Sequence, residues 1–305
     1  MKILVTGGAG FVGSHVVDSY ISLGHDVVVV DNLYSGKKEY VNEKAVFHEM
    51  DITDEKISDV FEKEKFDIVN HHAAQMNVRF SVENPLFDAK VNILGILNLL
   101  ENCRRYDVRK FIFASSGGAV YGEQDVYPIS ENARRKPDSP YGMAKKISED
   151  YLEYYHRNNG LKFTVLRYPN VYGPRQNPHG EAGVISVFFD LLLKNNDVQL
   201  YEGGKPVRDY IFISDVVEAN NIILNKGDND YFNIGTGIPT TVKEIYEKIR
   251  FITNSKGNFV SVPNKKGNPM KNYLNSEKAK KLLGWEYKID LDDGLRLIYR
   301  WFKNK

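Results

Sequence analysis

Tyr141 and Lys145 frame the segment Tyr141-Gly142-Met143-Ala144-Lys145. On a helix this spacing puts both side chains on one face, one turn apart. Free tyrosine, with a pKa of ~10, is a poor base at neutral pH. A nearby ammonium favours the phenolate, and so does a positively charged nicotinamide. Such a pair could take the proton of a hydroxyl whose carbon gives up hydride. A serine hydroxyl beside it, from Ser116, could bond the same oxygen and relay the proton. The spacing alone is not selective, because Tyr34/Lys38, Tyr40/Lys44, Tyr106/Lys110, Tyr201/Lys205 and Tyr299/Lys303 share it. What distinguishes Tyr141 is its setting. Ser139-Pro140 reads as an N-cap and first helical position. Upstream, the strand-like run 111–114 ends in Ser115-Ser116.

A cofactor to receive the hydride is written near the N-terminus. The apolar run 3–5 leads into Gly7-Gly8-Ala9-Gly10-Phe11-Val12-Gly13. Gly7, Gly10 and Gly13 let the backbone turn tightly and approach a pyrophosphate, which a helix N-terminus then binds. Asp31 closes the next strand, 27–30. Its carboxylate can accept from both ribose hydroxyls and would repel a 2′-phosphate, which favours NAD over NADP. The other reading of Asp31 is a turn residue, and Lys37 and Lys38 stand where a phosphate would want them. Asp51-Ile52 meets either an adenine edge or an ordinary turn into a helix. His71-His72-Ala73-Ala74 ends a fourth strand at the edge where ligands bind. Adjacent histidines on a strand point to opposite faces. No Cys or acid completes a ligand set, so no metal site is expected.

These residues need a frame that lines them along one edge. Short runs at 3–5, 27–30, 45–47, 68–69, 111–114 and 163–166 suit buried strands. Helical patterns at 11–24, 55–64, 84–105 and 140–158 alternate with them. That alternation predicts an α/β fold, a Rossmann doubly wound parallel sheet with helices on both faces. Beyond about residue 169 the pattern loosens, and helices are expected near 183–195, 214–226, 241–253 and 291–303. The expected division is a cofactor domain over 1–168 with a returning segment about 209–237. A smaller mixed α/β substrate lobe takes most of 169–305. Trp285 and Trp301 are expected in its core.

Bulk properties narrow the function classes. Lys+Arg total 41 and Asp+Glu 40, giving a formal charge of +1. That balance speaks against nucleic acid or a membrane surface as partner. No apolar run approaches the ~20 residues that span a bilayer, and no signal-peptide pattern opens the chain. The one cysteine, Cys103, allows no intrachain disulfide and reads as helix packing. A cytoplasmic protein is expected.

Several stretches together resemble UDP-glucose 4-epimerases of the extended short-chain dehydrogenase type. They are Thr6-Gly7-Gly8-Ala9-Gly10-Phe11-Val12-Gly13, Asp31-Asn32-Leu33, Ser115-Ser116-Gly117-Gly118-Ala119-Val120-Tyr121-Gly122, Ser139-Pro140-Tyr141-Gly142, and Arg167-Tyr168-Pro169-Asn170-Val171-Tyr172-Gly173-Pro174-Arg175-Gln176. The resemblance implies NAD as cofactor and a UDP-sugar as substrate. It makes Tyr141 the base, sets Lys145 on the nicotinamide ribose, and gives the helper hydroxyl to Ser116 or its neighbour Ser115. It puts Phe11, Val12, Asn32, Ser35, Gly36, Ala73, Ala74, Gln75, Asn92, Ser115 and Pro169 around the cofactor, with His72. It gives Asn170, Arg175, Arg208, Lys265 and Asn272 to the substrate. It implies a homodimer built on helices 84–105 and 140–158.

The chain also departs from the family pattern. The helper hydroxyl usually stands four residues before the tyrosine matching Tyr121, where this chain has Gly117. Lys265 and Asn268 replace an Arg and an Asp, Asn275 replaces an acid, and Asn272 falls where some relatives carry Tyr. Lysine loses the bidentate fork that arginine offers a diphosphate. A smaller residue at 272 could admit an N-acetyl group. Sugar dehydratases of the superfamily carry an acidic pair where this chain has Gly117-Gly118-Ala119, which favours epimerisation over elimination. A UDP-GlcNAc epimerase, a related reductase or decarboxylase, and an inactive NAD-binding scaffold stay open. Arg208 meets a phosphate or an exposed carboxylate.

Overall fold

The computed structural model describes residues 1–179, 183–263 and 269–303. Its first half runs β1 (Lys2–Thr6), α1 (Phe11–Ser22), β2 (Asp26–Asp31), β3 (Val46–Glu49), α2 (Ile57–Glu64), β4 (Ile68–His71), α3 (Val78–Glu83), α4 (Pro85–Ala89), α5 (Gly95–Arg105), β5 (Lys110–Ser116), α6 (Pro140–Asn159) and β6 (Lys162–Tyr168). The second half adds β7 (Asn170–Tyr172), α7 (Val184–Leu192), β8 (Val198–Tyr201), β9 (Val207–Arg208), β10 (Tyr210–Phe212), α8 (Ile213–Ile222), β11 (Asp230–Asn233), β12 (Thr240–Thr241), α9 (Val242–Thr253), β13 (Phe259–Val262), β14 (Lys271–Asn272), α10 (Glu277–Leu283) and α11 (Leu291–Lys303).

Seven strands form one sheet in the order β11-β6-β5-β4-β1-β2-β3. Every neighbouring pair is parallel. The strands are apolar throughout because both faces are covered. Ile3 and Val5 face the core shared with α1 and α8, while Leu4, Val28 and Val30 face the one under α2, α5 and α6. Strand order reverses between β1 and β4. That reversal opens a crevice at the carboxyl ends of the strands.

The returning segment is α8 and β11. Helix α8 docks on α1, with Asn70 Nδ2 donating to Tyr20 Oη (2.8 Å) and Asn220 Oδ1 (2.9 Å) beneath it. Buried Lys110 donates to the Ile223 and Lys226 carbonyls just past α8 and pairs with Asp228 at 2.7 Å. A cation there complements the negative end of the helix. The remaining strands make three small sheets, β10-β7, β12-β9-β14 and β13-β8, and α7 packs on α9 through Phe188 and Tyr246.

Two differences from the sequence reading have physical causes. The stretch 84–105 is not one α-helix. A π-helical turn, Lys90–Leu94, separates α4 from α5. The widened turn carries Asn92, whose side chain is tied to the loop after β4. The helices α3 (6 residues) and α10 (7 residues) are too short to show a period, and β8 and β13 escaped because they pair across a long stretch of chain. Trp285 is buried as expected. Trp301 is only half-buried, with its ring edge-on to Phe302.

Candidate active site

The glycine loop after β1 is packed too tightly for side chains. Gly7 has φ +71°, and a Cβ there would lie 2.5 Å from the Ala73 nitrogen. A Cβ on Gly13 would lie 2.2 Å from the Gly7 carbonyl oxygen. Helix α1 starts at Phe11 and Val12 with no side-chain cap. Its first N–H groups therefore point free toward an anion. Asp31 is buried at the end of β2. Its two oxygens accept from the backbone N–H groups of Ala9 (3.0 Å) and Leu33 (2.8 Å). Those bonds aim the carboxylate and leave it further lone pairs for a ribose. Burial, partly offset by the two N–H groups, holds its pKa above the usual range. Gly36 lies against Asp31, and Ser35 and Asn32 are exposed around it. Asn32 donates to Asp51 (2.7 Å), while Asp51 also accepts from Thr53, so Asp51 both ties two loops and makes the helix-leading turn. Ile52 is buried against Gly95. These features fit a dinucleotide, whose pyrophosphate would rest on α1.

At the end of β4, His71 bonds Thr6 (2.7 Å) and is buried between strands. His72 Nε2 is buried without a partner, and burial drives its pKa down to about 3. A neutral imidazole thus stands beside Ala73 and Ala74. Gln75 is held by Asn92, which accepts from the Gln75 N–H (2.9 Å) and donates to its carbonyl (2.8 Å). Both amides also donate to buried Asp88. Asn92 and Gln75 therefore shape the wall of the crevice from behind.

Helix α6 is capped twice. Ser139 accepts from Gly142 N–H (3.1 Å), as its sequence foretold, and Ser81 Oγ accepts from Tyr141 N–H (3.2 Å). Lys145 is buried. Its ammonium donates to the Ala114 carbonyl (2.8 Å) and lies 5.7 Å from the Tyr141 ring centre. Burial lowers its pKa to about 8, against the opposing pull of Asp88 and Glu149. Ser116 ends β5 at the same edge, and its hydroxyl bonds no other described residue. Ser115 points the other way, donating to Glu149 at 2.6 Å. Of the two serines, Ser116 is the one whose hydroxyl is not engaged by Glu149.

Residue 117 is glycine for a steric reason. A Cβ there would meet Leu274 Cδ1 at 2.6 Å. Asn272 Nδ2 donates to the Gly117 carbonyl (3.1 Å), and its Oδ1 is buried without a partner. Asn272 is paired in register with Arg208 on β9, so β14 brings both beside the Ser116 turn. Burial lowers the pKa of Arg208. Pro169 joins β6 to β7, and Asn170 donates to the Asp209 carbonyl (3.1 Å). Arg175 goes elsewhere. Its guanidinium pairs with Asp18 on α1 at 2.8 Å and stacks on Tyr40, so the residue ties the loop after β7 to the cofactor side. Lys265 and Asn268 lie outside the described residues. Arg79 of α3 donates to Tyr201 Oη at the end of β8 (2.9 Å). Among the described residues, no group of three His, Cys, Asp or Glu is arranged to hold a metal.

Asp88, Ser81 and Glu149 were missed by the sequence reading. Glu149 left a trace, since it continues the Tyr141/Lys145 stripe by another four residues. Ser81 left none, because Tyr141 lies 60 residues away; Asp88 stands four residues before Asn92, but no pattern marked that pair.

The model of the NAD dependent epimerase/dehydratase family matches residues 3–235. The chain belongs to that family. Members built like this one include the UDP-glucose 4-epimerase of Thermotoga maritima, solved with UDP-glucose. It is 49% identical, with a TM-score of 0.98 over 100% of this chain and 99% of that one. The Thermus thermophilus UDP-glucose 4-epimerase, solved with NAD, is 40% identical, with a TM-score of 0.95 and 99% of each chain covered. A putative UDP-glucose 4-epimerase of Methanocaldococcus jannaschii is 45% identical over 99% of this chain and 98% of its own. As a member of an NAD-dependent family, the chain uses NAD, in agreement with its glycine loop and Asp31.

Proposed function

We propose that the chain is an NAD-dependent 4-epimerase that interconverts UDP-glucose and UDP-galactose. One observation carries this reading. Helix α6 sets Tyr141 and Lys145 against the end of β5, where Ser116 is free to bond a substrate oxygen. Bound NAD supplies a hydride acceptor and donor at the sugar C4. Tyr141 takes the C4 hydroxyl proton, and Ser116 bonds the same oxygen and steadies it. Lys145, as an ammonium, favours the phenolate and is placed to hold a ribose. Gly117-Gly118-Ala119 offers no acid or base for elimination, so a 4-keto sugar would be reduced again: C4 takes back the hydride while its oxygen takes the proton from Tyr141, and a sugar that has turned over first leaves as the other epimer. Arg208, Asn170 and Asn272 are the groups we assign to the nucleotide and sugar. The cofactor unit we take as 1–168 with 209–237, and the rest as the substrate lobe.

A second reading, a UDP-N-acetylhexosamine 4-epimerase, is favoured by the modest side chain at Asn272 and its unpaired Oδ1, which could accept from an amide N–H. We also propose a homodimer through α4, α5 and α6. Leu86 (87% exposed), Leu94 (58%) and Tyr154 (50%) show apolar surface there. A lone buried thiol suits a reducing compartment, and we place the enzyme in the cytoplasm on that ground.

The test incubates the purified chain with UDP-galactose or UDP-GlcNAc, without added NAD, and resolves C4 epimers by NMR. The reading expects both C4 epimers from UDP-galactose and copurified NAD. Net NADH would point instead to a reductase or decarboxylase. Inertness across nucleotide sugars would point to a scaffold.

A further inference from the structure

Beneath the catalytic edge lies a polar knot that the reaction does not use directly. Glu149 is fully buried on α6, one turn beyond Lys145. Arg167 of β6 holds it with two bonds, Nε to Oε1 (3.0 Å) and Nη2 to Oε2 (2.7 Å). Arg135 adds a third to Oε2 (2.8 Å). Ser115 Oγ adds a fourth to Oε1 (2.6 Å). Arg167 is itself fixed, lying between the rings of Tyr121 and Tyr231 and donating to Tyr121 Oη (2.8 Å). Arg135 also pairs with Asp150 (2.7 Å) at the partly exposed rim, so the charges taken fully into the interior are Arg167 and Glu149, a pair with a considerable desolvation cost. Apolar side chains would fill the same space more cheaply. Such a cost is repaid by geometry, because a bidentate Arg–carboxylate pair fixes direction as well as distance.

The geometry it fixes is the one the reaction needs. Helix α6 touches the end of β5 at two consecutive strand residues. Lys145 bonds the Ala114 carbonyl, and Glu149 bonds the Ser115 hydroxyl. These two points, a turn apart, tie α6 directly to β5 and add to the Arg167 clamp on Glu149 and the packing of its apolar face, so that rotation and height are set relative to the strand that carries Ser116. Tyr141 sits one turn above the first point. Ser116 is the next residue after the second and points to the opposite face of the strand.

We propose that the Ser115–Glu149 bond is a positioning device for the reaction, setting Ser116 and Tyr141 at a common oxygen. The inference rests on the epimerase reading. Glu149, Ser115 and Arg167 are positioning residues that act through Ser116, Tyr141 and Lys145. Misplacing reacting groups by ~1 Å can cost about 10²-fold in rate, so losing one of the two anchors should cost about tenfold.

The experiment compares wild type, Ser115→Ala, Ser115→Thr, Glu149→Gln and the double variant Ser115→Ala/Glu149→Gln. It measures kcat and KM for UDP-galactose, NAD bound per chain, and the melting temperature. Ser115→Ala leaves the carboxylate and both arginines in place, so it folds even if Glu149→Gln does not. The expected result is kcat lower by about tenfold, KM within about twofold, bound NAD unchanged, and kcat restored by Ser115→Thr. The double variant should be no slower than Glu149→Gln alone, because both remove one contact. A Ser115→Ala enzyme with wild-type kcat overturns the proposal. So does a loss that Ser115→Thr does not restore, or a double variant whose losses multiply, since Ser115 would then act on its own. A wild-type chain that epimerises neither UDP sugar overturns the functional reading, and this inference with it.

Discussion

At the residue scale, Tyr141 owes its reactivity to what surrounds it. Replacing it by Phe keeps the ring and removes the proton carrier, so kcat should fall by about 10²–10⁴ while bound NAD stays at the wild-type level. Turnover by NMR and cofactor absorbance check both. Lys145 brings a pH signature. Its folded pKa of about 8 lies below its usual 10.5 because burial disfavours the charge. The unfolded chain therefore holds more protons between those values. The stability cost of the buried ammonium is full below about pH 8 and fades as pH rises toward 10.5. Activity runs the other way, because it needs the ammonium, and kcat/KM should fall as pH rises through about 8. Asp88 is the leading charge that supports the ammonium. Asp88→Asn should move the alkaline limb to lower pH, and an unmoved limb in a pH–rate profile would remove Asp88 from this role. Legibility in the sequence followed contact range. Tyr141, Lys145 and the glycines sit in local patterns, and each landed where its spacing placed it. Arg175 did not, because a basic residue in a family motif says nothing of which carboxylate the fold brings to it. Here that carboxylate is Asp18.

At the element scale, β5, α6 and the glycine loop do most of the positioning. Helix α6 could be read closely from Ser139-Pro140 at its start and Gly160, with φ +72°, just past its end. The π turn at Lys90–Leu94 could not, since one extra residue in a turn leaves the apolar stripe nearly intact. Its effect appears only in space, where Asn92 reaches Gln75 and Asp88. Two variants test these elements. Gly7→Ala forces a side chain into backbone 2.5 Å away at a positive φ, so the purified variant should carry little NAD, as its absorbance spectrum will show. Glu149→Ala leaves Arg167 buried without its carboxylate, while Arg135 keeps Asp150. Breaking a buried pair costs about 3–5 kcal/mol, to be read from urea unfolding.

At the scale of the whole molecule, alternating strand and helix patterns were enough to foresee a parallel sheet. The strand order was not legible in the pattern, and β11 takes its place beside β6 only in the folded sheet. Nor were the small sheets of the substrate lobe legible, because two-residue strands such as β9 and β14 carry no periodicity. Their pairing depends on chain segments that meet only after folding. The exposed apolar side chains of α4, of the π turn Lys90–Leu94 and of α6 make a prediction at this scale. Leu94→Asp should shift sedimentation equilibrium from dimer toward monomer while circular dichroism stays unchanged.

Cys103 is sealed in the core beside α2, and burial raises its thiol pKa well above the ordinary range. Maleimides and iodoacetamides react with thiolate, so the native chain is a silent background for labelling. A cysteine placed at Arg79 and another at Tyr201 would then be the only reactive pair on the protein. Dyes on that pair would report, molecule by molecule, whether α3 and the end of β8 move apart during turnover.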